Sequence, residues 1–363
     1  MTKPYPIVFE PIIKAKVWGG RRLATLGKPL PIDEPAGESW ELADLSSTSA
    51  SGGGGEPAHT VIANGELAGK TIADAMSLWG DQLLGDAQLS EQGGFPLLVK
   101  YLDASEHLSV QVHPSPSFAK AHDGAHLKTE SWFVLDAQPD ADGNPPMIYK
   151  GFLDGVTKED LAKAIIDGTV PSIMRKELAV PGQCHTLPSG TVHALGAGVL
   201  VAEIQTPSDT TFRVYDWAKE YGREGRELHI EEAVECASFE HPPVAQQANA
   251  YMADDMGSLS TMPPKVGSTR DRVSTTEFYT IDIVSASCAS VPVVDAGDAA
   301  GAGNSPVIVM IPKTMGASIA SESDAFGEVN IEPGQTVLIP SACVADAVLR
   351  AGPGTEALVA RVV

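Results

Sequence analysis

The sequence lacks the features that mark membrane-spanning, disulfide-stapled and nucleic-acid-binding proteins. It has no run of about 18 apolar residues, the length a spanning helix needs, and Met1 to Gly20 carries charges and prolines where a signal peptide would have its apolar stretch. A cytoplasmic location is the expectation. Cysteine is scarce: Cys184, Cys236, Cys288 and Cys343 stand far apart with no Cys-x-x-Cys spacing, so neither a disulfide framework nor a thiolate zinc site is suggested. Buried, inert thiols are expected. Positive charge is also short, with 25 Lys and Arg against 47 Asp and Glu and a formal net charge of −22. Such a surface repels phosphate backbones and anionic bilayers, so neither nucleic acid nor a membrane is an expected partner. An anionic small molecule would need a few cations gathered in one pocket against the sign of the whole surface.

What the chain does contain is strand punctuation. Its 35 Gly and 27 Pro break the sequence into short apolar or alternating runs such as PLLVKYLDA, ESWFVLDA, MIYKGFL and VLVAEIQ, the pattern of an antiparallel all-β core. Helices are few. Lys70 to Leu84 has apolar residues at helical spacing, Thr157 is placed to cap a second helix with Asp160 three residues on, and a third begins near His229. Ser46 to Pro57 reads as a flexible loop, and the polar, Pro-containing stretch 241–267 as a linker or crossing between two β domains. The domains expected are therefore 1–240, carrying the helical segments, and 268–363. An internal echo supports them: GQCHTLP, Gly182 to Pro188, and GQTVLIP, Gly334 to Pro340, share a Pro-Gly-Gln start and a second Pro, against the alternative of chance likeness between two strand–turn units. His193 in the first copy has Ala345 as its counterpart, so the second domain would lack a polar site.

In SVQVHP, Gln111 and His113 alternate with Val110 and Val112, which sends both polar side chains to one face of a strand. Lys128 and Glu130 likewise share a face of an extended segment, and Gly182-x5-Pro188-x-Gly190-x2-His193 brings another His after a tight turn. Two His, one Glu and one Gln offer nitrogen and oxygen donors that suit a divalent metal such as zinc, with room left for substrate or water. Each residue alone is more often a satisfied core or surface group. Together they point to a metal centre.

The motif Gly-x5-Pro-x-Gly-x2-His resembles the second motif of the cupins, a jelly-roll superfamily. FPLLVKYLDASEHLSVQVHP, with KTE and GTVHALGAG, is similar to the type I mannose-6-phosphate isomerase family over roughly Val17 to Phe239. The resemblance implies two cupin-like jelly rolls, the first catalytic and the second degenerate. It implies zinc held by Gln111, His113, Glu130 and His193, an active-site Lys128, and Asp209 and Arg213 as the acidic and basic residues after the last ligand. Lys100 also has a family counterpart. Only 62 residues lie between Glu130 and His193, so the helical insertion of longer members is missing and the chain resembles the short bacterial form.

The implied reaction interconverts mannose 6-phosphate and fructose 6-phosphate, moving a proton between C1 and C2 through an enediolate. A metal held by neutral His and Gln and one carboxylate keeps positive charge for the developing oxyanion. Arg213 is expected to be essential, stabilising the enediolate or clamping an anion with its planar fork. Lys128 is expected to handle the proton, with Asp209 the rival. Lys100 and the pair Arg21–Arg22 are candidates for the sugar phosphate, although Arg21–Arg22 also reads as a solvated pair. Trp18, Trp40 and Trp217 are candidates for an apolar wall, and Glu41 for a hydrogen bond to sugar hydroxyls. The rival readings are a non-catalytic sugar-phosphate-binding cupin and a different cupin enzyme. An oxygenase would be expected to use three His ligands. Oligomeric state is not legible in the sequence.

Overall fold

The computed structural model describes residues 2–48, 55–248, 266–295 and 304–363; the Gly-rich stretch of the expected loop and most of the expected crossing segment lie outside them. Antiparallel strands dominate, as the alternating runs predict. The first eight-stranded unit runs through Leu98–Ala104, Val110–Val112, Glu130–Ala137, Met147–Phe152, Met174–Leu178, Gln183–Leu187, His193–Leu195 and Val199–Gln205. Its first, third, sixth and eighth strands form one sheet in the order six, three, eight, one; the others form the facing sheet in the order five, four, seven, two. That is a jelly roll.

The second unit repeats this order. Tyr279–Ser287, Val307–Lys313, Thr336–Ile339 and Thr355–Val362 make one sheet, and Ala289–Pro292, Ala317–Ser321, Val329–Ile331 and Ala347–Ala351 the other, with the same strand positions as neighbours. The echo falls on the sixth strand of each. Gly182 and Gly334 enter those strands at φ 87 and 82, and a Cβ on Gly334 would lie 1.9 Å from the Leu26 carbonyl oxygen, so that turn requires glycine. After the shared Pro the copies diverge. The first continues through Gly190 to the His193 strand, the second into the short helix Ser341–Val344.

The larger sheets of the two units pack face to face. Val99, Tyr101, Phe133, Ala202 and Ile204 from the first share one core with Tyr279, Ile281, Ile308, Met310, Leu338 and Leu358 from the second. A fully buried side chain of this kind contributes about 1.5 to 3 kcal/mol, so the contact is a core rather than a loose interface.

The sheets do not follow the expected division of the chain. Ile7–Glu10 pairs antiparallel with Thr336–Ile339, with Ile7 opposite Leu338, and joins the sheet of the second unit. Its alternation explains this: Ile7 and Phe9 face the shared core and Val8 the interior of the second jelly roll. Within the expected linker, Gln246–Gln247 adds a strand beside Gln183–Cys184.

The helices form where expected. The first is interrupted: Ile72–Trp79 ends at Gly80, φ 50, and Asp81–Leu84 follows. Thr157 and Asp160 form a reciprocal capping box on Lys158–Asp167, and Ile230–Cys236 is the third helix. Three thiols are buried, and burial pushes Cys184, Cys236 and Cys343 up to about 12, but Cys288 is exposed, against expectation. No described helix is long and apolar enough to cross a membrane.

Candidate active site

The site is built from two rows of side chains that face each other inside the first jelly roll. On the smaller sheet, His193 pairs with Gln111 and Gln111 with Arg213, so three adjacent strands present one polar row. On the larger sheet, Trp40, Lys100, Glu203, Trp132 and His185 lie directly opposite one another across five strands. Glu130 is two residues from Trp132 on the same face, and Lys128 leads into that strand.

His113, Glu130 and His193 are buried and offer ligand atoms within 4.8 Å of one another. His113 Nδ1 lies 2.8 Å from the Thr210 carbonyl oxygen and His193 Nδ1 2.8 Å from that of Thr191. A carbonyl only accepts, so each ring commits its Nδ1–H outward and turns the Nε2 lone pair inward. Glu130 Oε1 receives no hydrogen bond, yet stands 2.9 Å from His193 Nε2 and 3.7 Å from His113 Nε2. Burial, and next the charge of Lys128, push the His113 imidazole down to about 3, which keeps it neutral. Burial by itself would raise the Glu130 carboxyl, but the Lys128 ammonium beside it holds it well below the usual carboxylate range. Three buried acceptors thus converge: among the described residues Glu130 Oε1 has no donor, and only the Lys128 ammonium and the Gln111 amide come within reach of the two imidazole nitrogens. A divalent cation fits that point.

Gln111 closes the set from the neighbouring strand, its amide nitrogen 3.4 Å from His193 Nε2. Exchanging the amide nitrogen and oxygen presents Oε1 to the same point. Lys128 Nζ contacts Glu130 Oε2, stands 3.2 Å from His113 Nε2, and is 3.7 Å from Glu203 Oε1.

A cavity opens beside this cluster, lined by Trp18, Lys100, Gln111, Lys128, Asp209 and Arg213 among others. Five Lys and Arg line it against Glu38, Glu203 and Asp209, reversing the acidic balance of the whole chain. Arg213 is held by a hydrogen bond of 2.9 Å to the Glu227 carbonyl oxygen and lies 3.8 Å from Asp216. Lys100 sits 3.2 Å from Glu203 and 5.0 Å over the Trp40 ring. Burial opposes its charge, but Glu203, Glu38 and Glu130 keep its pKa above the ordinary value.

Several expected contributors lie elsewhere. Glu41 leaves the opposite face of its strand and accepts 2.7 Å from Lys28, so it cannot reach a ligand in the cavity; strand alternation gives that place to Glu38 and Trp40. Trp217 donates to the Leu108 carbonyl oxygen, packs in a separate core with its ring 4.2 Å from that of His107, and lies outside the cavity lining. Arg22 is tied to Asp103 and Asp136, and Arg21 to the carbonyl oxygens of Pro31 and Glu34. Residues that sequence reasoning missed include Glu38, Glu203, Lys16 and Arg226. For Glu203 a signal existed: a carboxylate inside the apolar run VLVAEIQ, as conspicuous as Gln111 between two valines.

The model of the type I phosphomannose isomerase catalytic domain matches residues 7–140, which include Gln111, His113, Lys128 and Glu130. Mannose-6-phosphate isomerase ManA of Bacillus subtilis is 35% identical over 254 residues, covering 69% of this chain and 74% of the relative. The chain belongs to the type I phosphomannose isomerase family. A second family member of that organism, the probable mannose-6-phosphate isomerase GmuF, is 37% identical over 271 residues, 70% of this chain and 78% of the relative. The crystal structure of the Bacillus subtilis mannose 6-phosphate isomerase superposes with a TM-score of 0.71 at 24% identity, covering 98% of this chain and 99% of that one, so the whole family fold is shared. A zinc-bound mannose 6-phosphate isomerase structure matches with a TM-score of 0.67 at 18% identity, over 98% and 99% of the two chains.

Proposed function

We propose that the protein interconverts mannose 6-phosphate and fructose 6-phosphate at this site, with one zinc ion held by Gln111, His113, Glu130 and His193. The observation that carries the reading is the convergence of two outward-anchored imidazoles and an unbonded carboxylate oxygen beside a cation-lined cavity. The family's named activity agrees with it.

Bound zinc supplies positive charge for the oxyanion of an enediolate. The rest of the chemistry belongs to the chain. Arg213, clamped through Nη1 to the Glu227 carbonyl oxygen, keeps its guanidinium on the cavity wall as a second fixed charge for the sugar oxygens. Lys128 handles the proton that moves between C1 and C2, with Glu130 Oε2 holding its Nζ in place. Asp209 lines the same cavity and is the rival for that role. Lys100, pinned between Glu203 and the Trp40 ring, serves the substrate phosphate, and Trp18 supports the sugar face. The domains divide near 240 and 268, with Ile7–Glu10 contributed to the second jelly roll's sheet.

A coupled assay on the purified chain tests the function, with glucose 6-phosphate as comparison substrate. Conversion of mannose 6-phosphate should vanish with chelator and return with zinc. Full activity in metal-free protein would overturn the metal reading, and a zinc-replete chain that binds the sugar phosphate without converting it would favour the non-catalytic alternative.

A further inference from the structure

The larger sheet that carries Glu130, Lys100 and Trp40 has a second face, and the second jelly roll grips it. Alternation places Ser131 on that outer face, between Glu130 and Trp132. Ser131 Oγ lies 3.0 Å from Ser274 Oγ and 3.1 Å from the Tyr279 hydroxyl, and it donates to Thr186 Oγ1 at 3.3 Å; Thr186 Oγ1 is in turn 2.8 Å from Ser274 Oγ. Ser131, Ser274 and Tyr279 are all buried. The neighbouring strands show the same pattern. Glu41, on the outer face behind Trp40, is bonded to Lys28, which also donates 2.7 Å to the Gly334 carbonyl oxygen of the second jelly roll. Lys28 lies 5.1 Å over the ring of Tyr101, the outer neighbour of Lys100.

Hydroxyls buried between two sheets are unfavourable unless bonded, and Ala, Val and Phe would fill the same contact without that demand. What hydrogen bonds add is length and direction, which sliding apolar surfaces lack. We infer that the second jelly roll is a positioning platform for the metal centre, and that Tyr279 sets the depth of Glu130 by bonding Ser131, its immediate neighbour. The inference rests on the zinc reading above. Tyr279 touches neither substrate nor metal and is a positioning residue.

The test uses the full chain with Tyr279→Phe, which keeps the ring and removes one hydroxyl. Thr355→Val is the control, removing a buried hydroxyl that bonds Thr314 and Gly352 within the second jelly roll. Zinc affinity is read by competition with a chromophoric chelator, alongside thermal midpoint, kcat and KM. Both variants should lose a similar few degrees. Only Tyr279→Phe should weaken zinc, by about tenfold, the scale seen when groups supporting metal ligands are removed, with kcat reduced and KM nearly unchanged. Ser131→Ala should weaken zinc at least as much, and the double variant should lose no more than Ser131→Ala alone. Zinc affinity and kcat equal to those of Thr355→Val would overturn the inference. Wild-type protein that binds no zinc would instead overturn the reading beneath it.

Discussion

The two jelly rolls share one strand order and differ in what fills them. In the first, the third strand sends Glu130 and Trp132 inward, the sixth His185, and the eighth Glu203 and Gln205. The same strands of the second send Val307, Val309 and Ile311, then Val337 and Ile339, then Ala357 and Val359 into an interior of apolar side chains. The polar part of the first interior is held by the pairing of Lys100, Lys128, Glu130 and Glu203, and the rest is filled by apolar side chains such as Leu102, Val134, Ile148 and Val201. The apolar one needs no such support. One copy of the fold carries chemistry at a cost in stability, and the other supplies a well-packed partner against which it is held.

The sharpest break of this comparison is to give the first interior the character of the second. His193→Ala should abolish zinc binding and lower isomerisation by more than about a thousandfold, measured as metal content and turnover together. Next comes Arg213→Ala, which should leave zinc bound while reducing kcat about a hundredfold, the scale of losing one fixed charge at a developing oxyanion. Normal turnover would remove Arg213 from the mechanism. In the second jelly roll the fully buried Ile319 tests the opposite property. Ile319→Ala should cost about 2 to 5 kcal/mol in denaturant unfolding and leave zinc stoichiometry per folded chain unchanged.

The smallest effect separates the copies by pH. Burial, and next Lys150, push the His185 imidazole down to about 3. Below its ordinary value of 6.5 the unfolded chain takes up a proton that the folded chain refuses, so stability is lost as pH falls from 6.5 toward 3. Glu38 acts in the same direction. Burial would raise it, but Lys16 and Lys100 hold it at about 2, so its contribution is lost between 4.5 and 2. Thermal midpoints recorded from pH 7 to pH 4 should fall, and His185→Phe should flatten the upper part of that slope. An unchanged slope would show that His185 titrates alike in both states.

Much of the site was legible in the sequence because strand alternation is a local rule. Gln111 with His113, and Lys128 with Glu130, declare a shared face by spacing alone, and a polar residue set among valines declares that the face is unusual. The same rule misled at Glu41, where the choice between Glu38 and Glu41 depends on which face of the strand looks inward. Alternation gives two faces and does not name them. Arg226 and Lys16 carry no local signal, since a Lys or Arg in a loop or edge strand has the same look whether it meets solvent or a cavity.

The sequence by itself determined the antiparallel β class, the capped helices, the polar set and the echo between the two halves, because turns, caps and period-two patterns act between near neighbours. Only the tertiary structure decided that Ile7–Glu10 joins the far sheet, that Lys28 reaches both Glu41 and Gly334, and that Ser131 meets Tyr279 behind Glu130. Those partners are separated by tens to hundreds of residues. Their meeting depends on how two whole sheets pack, which no local pattern encodes.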